Sequence, residues 1–448
     1  MTKDMTTGSP LKLILLFTIP VLLGNLFQQF YNMVDAVIVG QFLGADALAA
    51  VGSVSCLMFL VVGFANGIAQ GFGVAVSHNF GAKDSKALKH CVALSLMLTV
   101  IVSLILTIPT FFASKKLLLL LNTPANIIEM ADAYLKIIFA GIILTMSYNA
   151  AAGILRGIGD SKTPLYFLIF SSVLNIFLDI FLIVVVKLGT AGAAYATIIS
   201  QGISALFCFI YMFRKYEILR VSREDFYFDY QTVKRILSIG IPMALNYSIT
   251  AIGISVIQSA VNVFGSVVVA AFTAASKVSN IVLQFGISLG VTMSTYCGQN
   301  LGAQKYDRIF TGVRYSAIIS LFIAAISAFI CVVCGPFIVR CFIDHPTEEI
   351  MYYAMHYLKL ISWFFIPLSW IFAYRNSLQG LNKGLVPMLS GFVELFARFV
   401  IIKLLSDSLG YTAACLADPL TWVVTALPLM VTYYVWQYQM KRKEGVVN

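Results

Sequence analysis

The sequence predicts an all-α polytopic membrane protein with twelve transmembrane helices, arranged as two six-helix lobes related by a parallel pseudo-two-fold axis. Three observations carry this. Of the 448 residues, 60% are hydrophobic and 11% charged, against about 25% charged in an ordinary soluble domain, whose surface water must wet. Apolar runs long enough to cross a bilayer, about 20 residues each, recur along the whole chain. The second half also repeats motifs of the first at a nearly fixed spacing. Soluble enzymes, nucleic-acid binders and disordered scaffolds are excluded by the composition alone.

Taken in order, apolar runs bounded by charges, Gly or Pro give spans near 11–41, 46–78, 89–113, 130–153, 163–186 and 190–213. After a polar stretch, further spans fall near 236–264, 268–298, 309–338, 350–378, 385–405 and 411–438. The first run is too long for a signal-peptide core and lacks a small-residue cleavage site, so it reads as the first span. The expected organisation is an N-terminal lobe over 1–213, a cytoplasmic linker over 214–235 and a C-terminal lobe over 236–448. No stretch between spans is large enough for a separate soluble domain.

The halves align at four places. Pro20 matches Pro242 at an offset of 222, and HNFGAKD (78–84) matches QNLGAQKYD (299–307) at 221. LRGIGDSKTP (155–164) matches LQGLNKGLVP (378–387) at 223, and GTAGAA (189–194) matches GYTAAC (410–415) at 221. Six spans per repeat give both halves the same orientation, the parallel-repeat plan of a secondary transporter with its cavity between two lobes. Lys and Arg concentrate in cytoplasmic loops. With both termini cytoplasmic, 21 basic residues fall inside against 5 outside, which sets the orientation.

Ionisable side chains at membrane depth are costly, by about 2.5–3.5 kcal/mol on insertion scales, and mark function by default. In the first half they are Asp35 and Asp179. Gln28, Tyr31 and Asn32 precede Asp35 by seven, four and three residues, on its helical face. Such a polar stripe faces another helix or a wet cavity. Asn175 lies one turn before Asp179, and Thr197 on the next helix offers a hydroxyl. Two carboxylates with amide and hydroxyl oxygens suit a sodium ion or a proton as the coupling ion; a structural polar cluster is the alternative. In the second half, Gln258 stands where no acid matches Asp35, and Glu394/Arg398 form an i,i+4 pair expected to neutralise itself as a structural ion pair. Gln28, Tyr31, Asn32, Met33, Tyr148, Asn149 and Gln258 are candidates to line the substrate cavity, with Phe27, Met33 and Tyr148 as its adaptable apolar wall.

No GxxxxGK[ST] loop, HExxH, GxSxG or spaced Cys/His set appears, and the lone CxxC, Cys331 and Cys334, lies in apolar sequence that reads as packing. No enzymatic activity and no cofactor are expected, and energy must come from an ion gradient.

The motifs IP…VG (Pro20 to Gly40), NMVDAVIVG, GADALAAVG, SHNFGAKD, LRGIGDSKTP and NIFLDIFLI, in that order, resemble the multidrug and toxic compound extrusion (MATE) family, in particular its bacterial DNA-damage-inducible-type branch. The resemblance implies V-shaped lobes in a bacterial plasma membrane, and monomeric antiport of cationic, amphipathic small molecules against Na⁺ or H⁺. By that resemblance Asp35 is the first-helix acid, Asn175, Asp179 and Thr197 form the N-lobe polar cluster, Gln28 and Tyr31 are its first-helix neighbours, and Pro20 lets helix 1 bend. The sequence departs from some branches in having no acid on helix 7. The alternative on the same fold is a flippase for a lipid-linked or polysaccharide precursor, which requires a basic cavity to hold pyrophosphate.

Overall fold

With no water in hydrocarbon to satisfy backbone N–H and C=O groups, a spanning chain closes its hydrogen bonds inside helices. The computed structural model, which describes residues 3–343 and 346–443, does so almost throughout. The first half contains α1 (Pro10–Leu43), α2 (Ala45–Ser53), α3 (Ser55–Gly81), α4 (Ser85–Leu120), α5 (Ile128–Ala140), α6 (Ile142–Gly157), α7 (Lys162–Ile180) and α8 (Thr190–Lys215). The second contains α9 (Tyr230–Asn262), α10 (Ser266–Gly302), α11 (Tyr306–Phe329), α12 (Gly335–Phe342), α13 (Glu348–Ser362), α14 (Phe365–Gly380), α15 (Leu385–Leu409) and α16 (Tyr411–Lys443). Ten helical segments are individually long and apolar enough to cross a membrane, α7 and α11 being counted together with the turns and helix that continue them. Twelve crossings result if each of two bent pairs, α5/α6 at 47° and α13/α14 at 54°, is one span.

Two features depart from the simple apolar runs. The span expected near 46–78 breaks at Val54 into α2 and α3. Ser53 and Ser55 flank the break and donate back to the carbonyls of Ala50 and Val51, a local hydrogen bond that competes with the helical ladder. The helices α7 and α11 also pass into single π turns, Phe181–Val185 and Ile330–Cys334. Cys331 and Cys334 fall in the second of these as unbridged thiols, Cys331 buried.

The duplication is written into the backbone as well as the sequence. Residues with left-handed φ come in pairs at the repeat spacing: Gly44 (87°) with Gly265 (88°), Lys83 (58°) with Gln304 (55°), Gly159 (86°) with Asn382 (57°), and Gly189 (61°) with Gly410 (53°). Left-handed residues of this kind commonly follow helix ends, so the two halves stop and restart their helices in the same register. A close helix approach repeats too. A Cβ on Gly157 would meet the Gly73 carbonyl at 2.6 Å, and one on Gly380 the Ser294 carbonyl at 2.5 Å.

Two compact units emerge, and neither is a simple half of the chain. One is built from Leu23–Ser248, with Lys3 and Asp4 joining it; the other combines Met5–Leu22 with the chain from Ile249 onward. Thus α1 changes unit just after Pro20, and α9 changes unit six residues after Pro242. In the first unit, α3 is held at close range by small residues, the usual device for bringing membrane helices together. A Cβ on Gly67 or Gly71 would fall 2.3 Å from Ala244 Cα or 2.4 Å from Gly240 Cα of α9. In the second unit, the start of the chain is fastened by side chains of α10, α11 and the turn between them. Gln299 Oε1 accepts from the Met5 N–H at 2.8 Å, and Arg308 donates to the carbonyls of Met5 (3.0 Å) and Gly8 (2.8 Å). Lys305 Nζ reaches the Thr6 carbonyl at 2.8 Å, and Thr18 donates to Thr292 Oγ1 at 2.9 Å.

The polar linker after α8 packs within the first unit. His90 Nδ1 lies 2.9 Å from the Asp225 carbonyl, and the His90 ring stacks on Tyr227 with centroids 3.9 Å apart.

Candidate functional site

In the first unit the polar residues of three helices converge. Tyr31 and Asp35 sit one turn apart on α1. Asn175 and Asp179 sit one turn apart at the end of α7, both fully buried at 1% and 0% exposure, and Thr197 lies on α8. With the Asn175 amide oriented to satisfy both neighbours, its Nδ2 donates to Asp179 Oδ2 at 3.1 Å and its Oδ1 accepts from the Thr197 N–H at 3.3 Å. The Thr197 hydroxyl also donates to the Ala193 carbonyl one turn back, at 3.1 Å. The Tyr31 hydroxyl lies close to that of Thr197, and the carboxyl groups of Asp35 and Asp179 lie side by side.

Two features of this cluster decide its chemistry. Two carboxyl groups this close repel each other when both are ionised, a repulsion that a proton or another cation between them would relieve. Neither acid pairs with a basic side chain among the described residues. Each also keeps one buried oxygen, Oδ1, that meets no hydrogen-bond donor. Buried charge left uncompensated is expensive, and here the compensating cation is not built into the protein. The ligand atoms on offer are carboxyl, amide and hydroxyl oxygens, which suit a hard cation. No three His, Cys, Asp or Glu side chains converge among the described residues, so nothing there resembles a transition-metal centre.

The remaining candidates divide. Gln28, Asn32 and Met33 lie exposed along α1 beside the cluster. Tyr148 does not present a wall: it is 7% exposed, and its hydroxyl is committed to the Pro164 carbonyl at 3.0 Å. Asn149 donates to the Thr145 carbonyl one turn back at 2.9 Å. Pro20 is buried within α1. Sequence reasoning missed Tyr134 of α5, a buried side chain whose hydroxyl lies within electrostatic reach of Tyr31, Asp35 and Asp179. A single Tyr in an amphipathic segment carries no distinguishing signal.

The second unit holds a different polar core. Arg398 and Glu394 of α15 meet at 2.7 Å, and the network continues on both sides. Arg398 Nε donates to Asp418 Oδ1 of α16 at 2.7 Å, and Arg375 Nη2 of α14 donates to Glu394 Oε2 at 3.0 Å. The expected pair is thus half of a four-membered array. Arg375, one of the 21 basic residues placed on the cytoplasmic side from sequence, is a half-buried member of it. Asp418 was findable, because it stands 221 residues after Thr197, the same offset that aligns GTAGAA with GYTAAC. Gln258 lies outside this network and donates to Asn262 Oδ1 at 2.9 Å.

A duplicated bundle of membrane-spanning helices is the build of a polytopic membrane protein, here with an acid pair in one unit. The MatE family model matches residues 20–181 and 239–402, one segment in each half, and the chain belongs to that family. It is 30% identical over 435 residues to the probable multidrug resistance protein YpnP of Bacillus subtilis (strain 168), covering 96% of each chain. It is 29% identical to the probable multidrug resistance protein YoeA of the same organism, over 96% of this chain and 94% of the relative. In structure it is similar to a MOP superfamily transporter from Pyrococcus furiosus, with a TM-score of 0.92, 22% identity and 98% of each chain covered. It is also similar to an outward-facing multidrug resistance MATE family transporter of the MOP superfamily, with a TM-score of 0.90, 22% identity and coverage of 98% and 99%. At that identity the structural likeness speaks for the fold alone.

Proposed function

We propose that this protein is a secondary active exporter of cationic, amphipathic small molecules, driven by exchange for Na⁺ or H⁺ bound at Asp35 and Asp179. The observation that carries the reading is the acid pair itself: two carboxyl groups side by side, with no basic side chain paired to either among the described residues. Asn175 and Thr197 position Asp179, and Tyr31 completes the α1 side. A driving cation and a cationic substrate that draw on the same carboxylates compete, and competition between two alternating states is what exchange requires. Proline at position 20 removes the N–H that would bond the Leu16 carbonyl. It offers α1 a place to bend between the segments that belong to different units, so that the exposure of Asp35 alternates. Gln28, Asn32 and Met33 are placed to touch substrate. The names of the two Bacillus relatives support drug export. The protein acts in the plasma membrane with both termini cytoplasmic, as a monomer and without enzymatic chemistry.

The flippase alternative needs basic side chains free to hold a pyrophosphate. Of the candidates Lys277, Arg398 and Lys359, Arg398 is engaged by carboxylates, which leaves the two exposed lysines for that role.

The test is efflux from proteoliposomes under a sodium gradient or a proton gradient imposed separately. Asp35→Asn and Asp179→Asn keep size and hydrogen-bonding capacity, so each variant is expected to fold at normal abundance and to lose gradient-driven efflux. Full gradient-driven efflux by both variants would place coupling elsewhere.

A further inference from the structure

The second unit's array stands at the repeat positions of the first unit's cluster. Carrying the offsets of the flanking motifs, Tyr31 corresponds to Gly253 (222), Asn175 to Arg398 (223) and Thr197 to Asp418 (221). These three counterparts also meet one another. Arg398 Nε bonds Asp418 Oδ1 at 2.7 Å, and a Cβ on Gly253 would fall 1.7 Å from Arg398 Nη1. The amide of the first half has therefore become a guanidinium, the hydroxyl has become a carboxylate, and the tyrosine ring has been deleted to leave room for the longer side chain. The second acid, Glu394, sits one turn before Arg398, whereas Asp179 sits one turn after Asn175. Arg398 is 4% exposed and its Nη1 has no acceptor, so its place is set by the two carboxylates and the gap at Gly253.

We infer that Arg398 is a tethered cation: it permanently fills, in the second unit, the role that the exchangeable ion plays between Asp35 and Asp179 in the first. Arg398 is then the residue that limits the protein to one ion-binding cluster. Without it, Glu394 and Asp418 would face only Arg375, leaving one uncompensated negative charge for a monovalent cation to neutralise; at Asp35 and Asp179, two carboxylates with no basic partner among the described residues, one such cation offsets half the charge. Substitution by asparagine, the residue at the matching register of the first half, should open a second monovalent-cation site.

This inference rests on the reading of Asp35 and Asp179 as the native ion site, and the experiment separates the two. Binding of radiolabelled sodium, and proton uptake or release at several fixed pH values, is measured on the full-length protein in nanodiscs. The parent is compared with D35N/D179N, D35N/D179N/R398N and D35N/D179N/R398K. Loss of ion binding in D35N/D179N supports the native site, and retention sinks that reading without touching this one. Recovery of a single sodium or proton site by adding R398N, but not by adding R398K, is the result expected of a tethered cation. The sodium and proton arms identify the ion. A well-folded R398N triple variant that binds nothing beyond the double variant overturns the inference. So does an R398N protein that fails to accumulate both in high sodium and in acid, because an exchangeable cation would then be unable to replace the guanidinium.

Discussion

Gly253 and Arg398 are in contact where no side chain could stand between them: a Cβ on the glycine would overlap the guanidinium, 1.7 Å from Nη1. The glycine of α9 is therefore part of the ion array of α15 and α16, although it carries no polar side-chain atom. Gly253→Ala is expected to push Arg398 off Asp418 or Glu394 and to destabilise the protein by about 1–3 kcal/mol, the usual range for overpacking a tight core. Thermal unfolding in detergent measures it, and a melting temperature equal to the parent's would show that the guanidinium has room to move.

The array predicts a graded response to neutralisation. Arg398→Ala leaves the buried Glu394 and the half-buried Asp418 facing one guanidinium, and breaking a buried pair costs about 3–5 kcal/mol. Replacing Glu394 and Arg398 together by glutamine is expected to recover only part of this, because Asp418 and Arg375 each lose a partner. Neutralising all four is expected to recover most of it. If the two-residue change restores full stability, Arg375 and Asp418 are spectators.

In the first unit, Asn175→Ala removes the amide that joins Asp179 to the Thr197 backbone. Outer-shell groups of this kind are typically worth 10–100-fold in ion affinity. The concentration of the driving ion needed for half-maximal efflux is therefore expected to rise by roughly 10–100-fold with the protein at normal abundance. An unchanged ion dependence would mean that Asp179 is held by other contacts.

Orientation is open to chemical labelling. In a cysteine-free background, single cysteines in place of Lys83, Lys162 and Ser222 are expected to resist an impermeant thiol reagent applied to intact cells, and one in place of Lys115 is expected to react. The opposite pattern would reverse the assignment of both termini and the linker to the cytoplasm.

Gly52 of α2 and Gly71 of α3 give a contrast in packing. Gly71→Ala places a methyl group 2.4 Å from the Gly240 Cα, a backbone atom that cannot rotate away, whereas a Cβ on Gly52 meets nothing within 4 Å. The first is expected to cost about 1–3 kcal/mol and the second to fall within about 0.5 kcal/mol of the parent. Equal melting temperatures for the two variants would refute the close approach of α3 and α9.

What was legible in the sequence follows from what hydrocarbon forbids. Charge is so costly there that Asp35, Asp179, Glu394 and Arg398 stand out from apolar runs, and the spans themselves are read from the absence of charge. Arg375 escaped because a basic residue near the end of an apolar run looks like a loop residue until its partner Glu394 is located. Asp418 escaped because its counterpart, Thr197, is not an acid, so comparison by charge passes over a match that comparison by position would have found. Tyr148 was misjudged for a different reason: a polar hydroxyl on an apolar helix reads equally well as cavity lining or as a buried donor, and only the Pro164 carbonyl decides. The left-handed backbone at Lys83 and Gln304 had no local signal, since neither is glycine or asparagine.

The division of α1 between units bears on how the protein is made. Met5–Leu22 leaves the ribosome well ahead of the chain from Ile249 onward, yet it packs in one unit with it, including the side chains of Gln299 and Arg308 that fasten Met5. At about 5–20 residues per second, those partners follow on the order of ten seconds or more behind. Throughout that interval the leading half of the first helix has been inserted without its native neighbours, and lipid or the insertion machinery must shelter it. Biogenesis therefore cannot finish one unit before starting the other. The earliest segment is locked in place only when the later helices arrive, so late truncation or stalling would strand the beginning of the chain as well as its end.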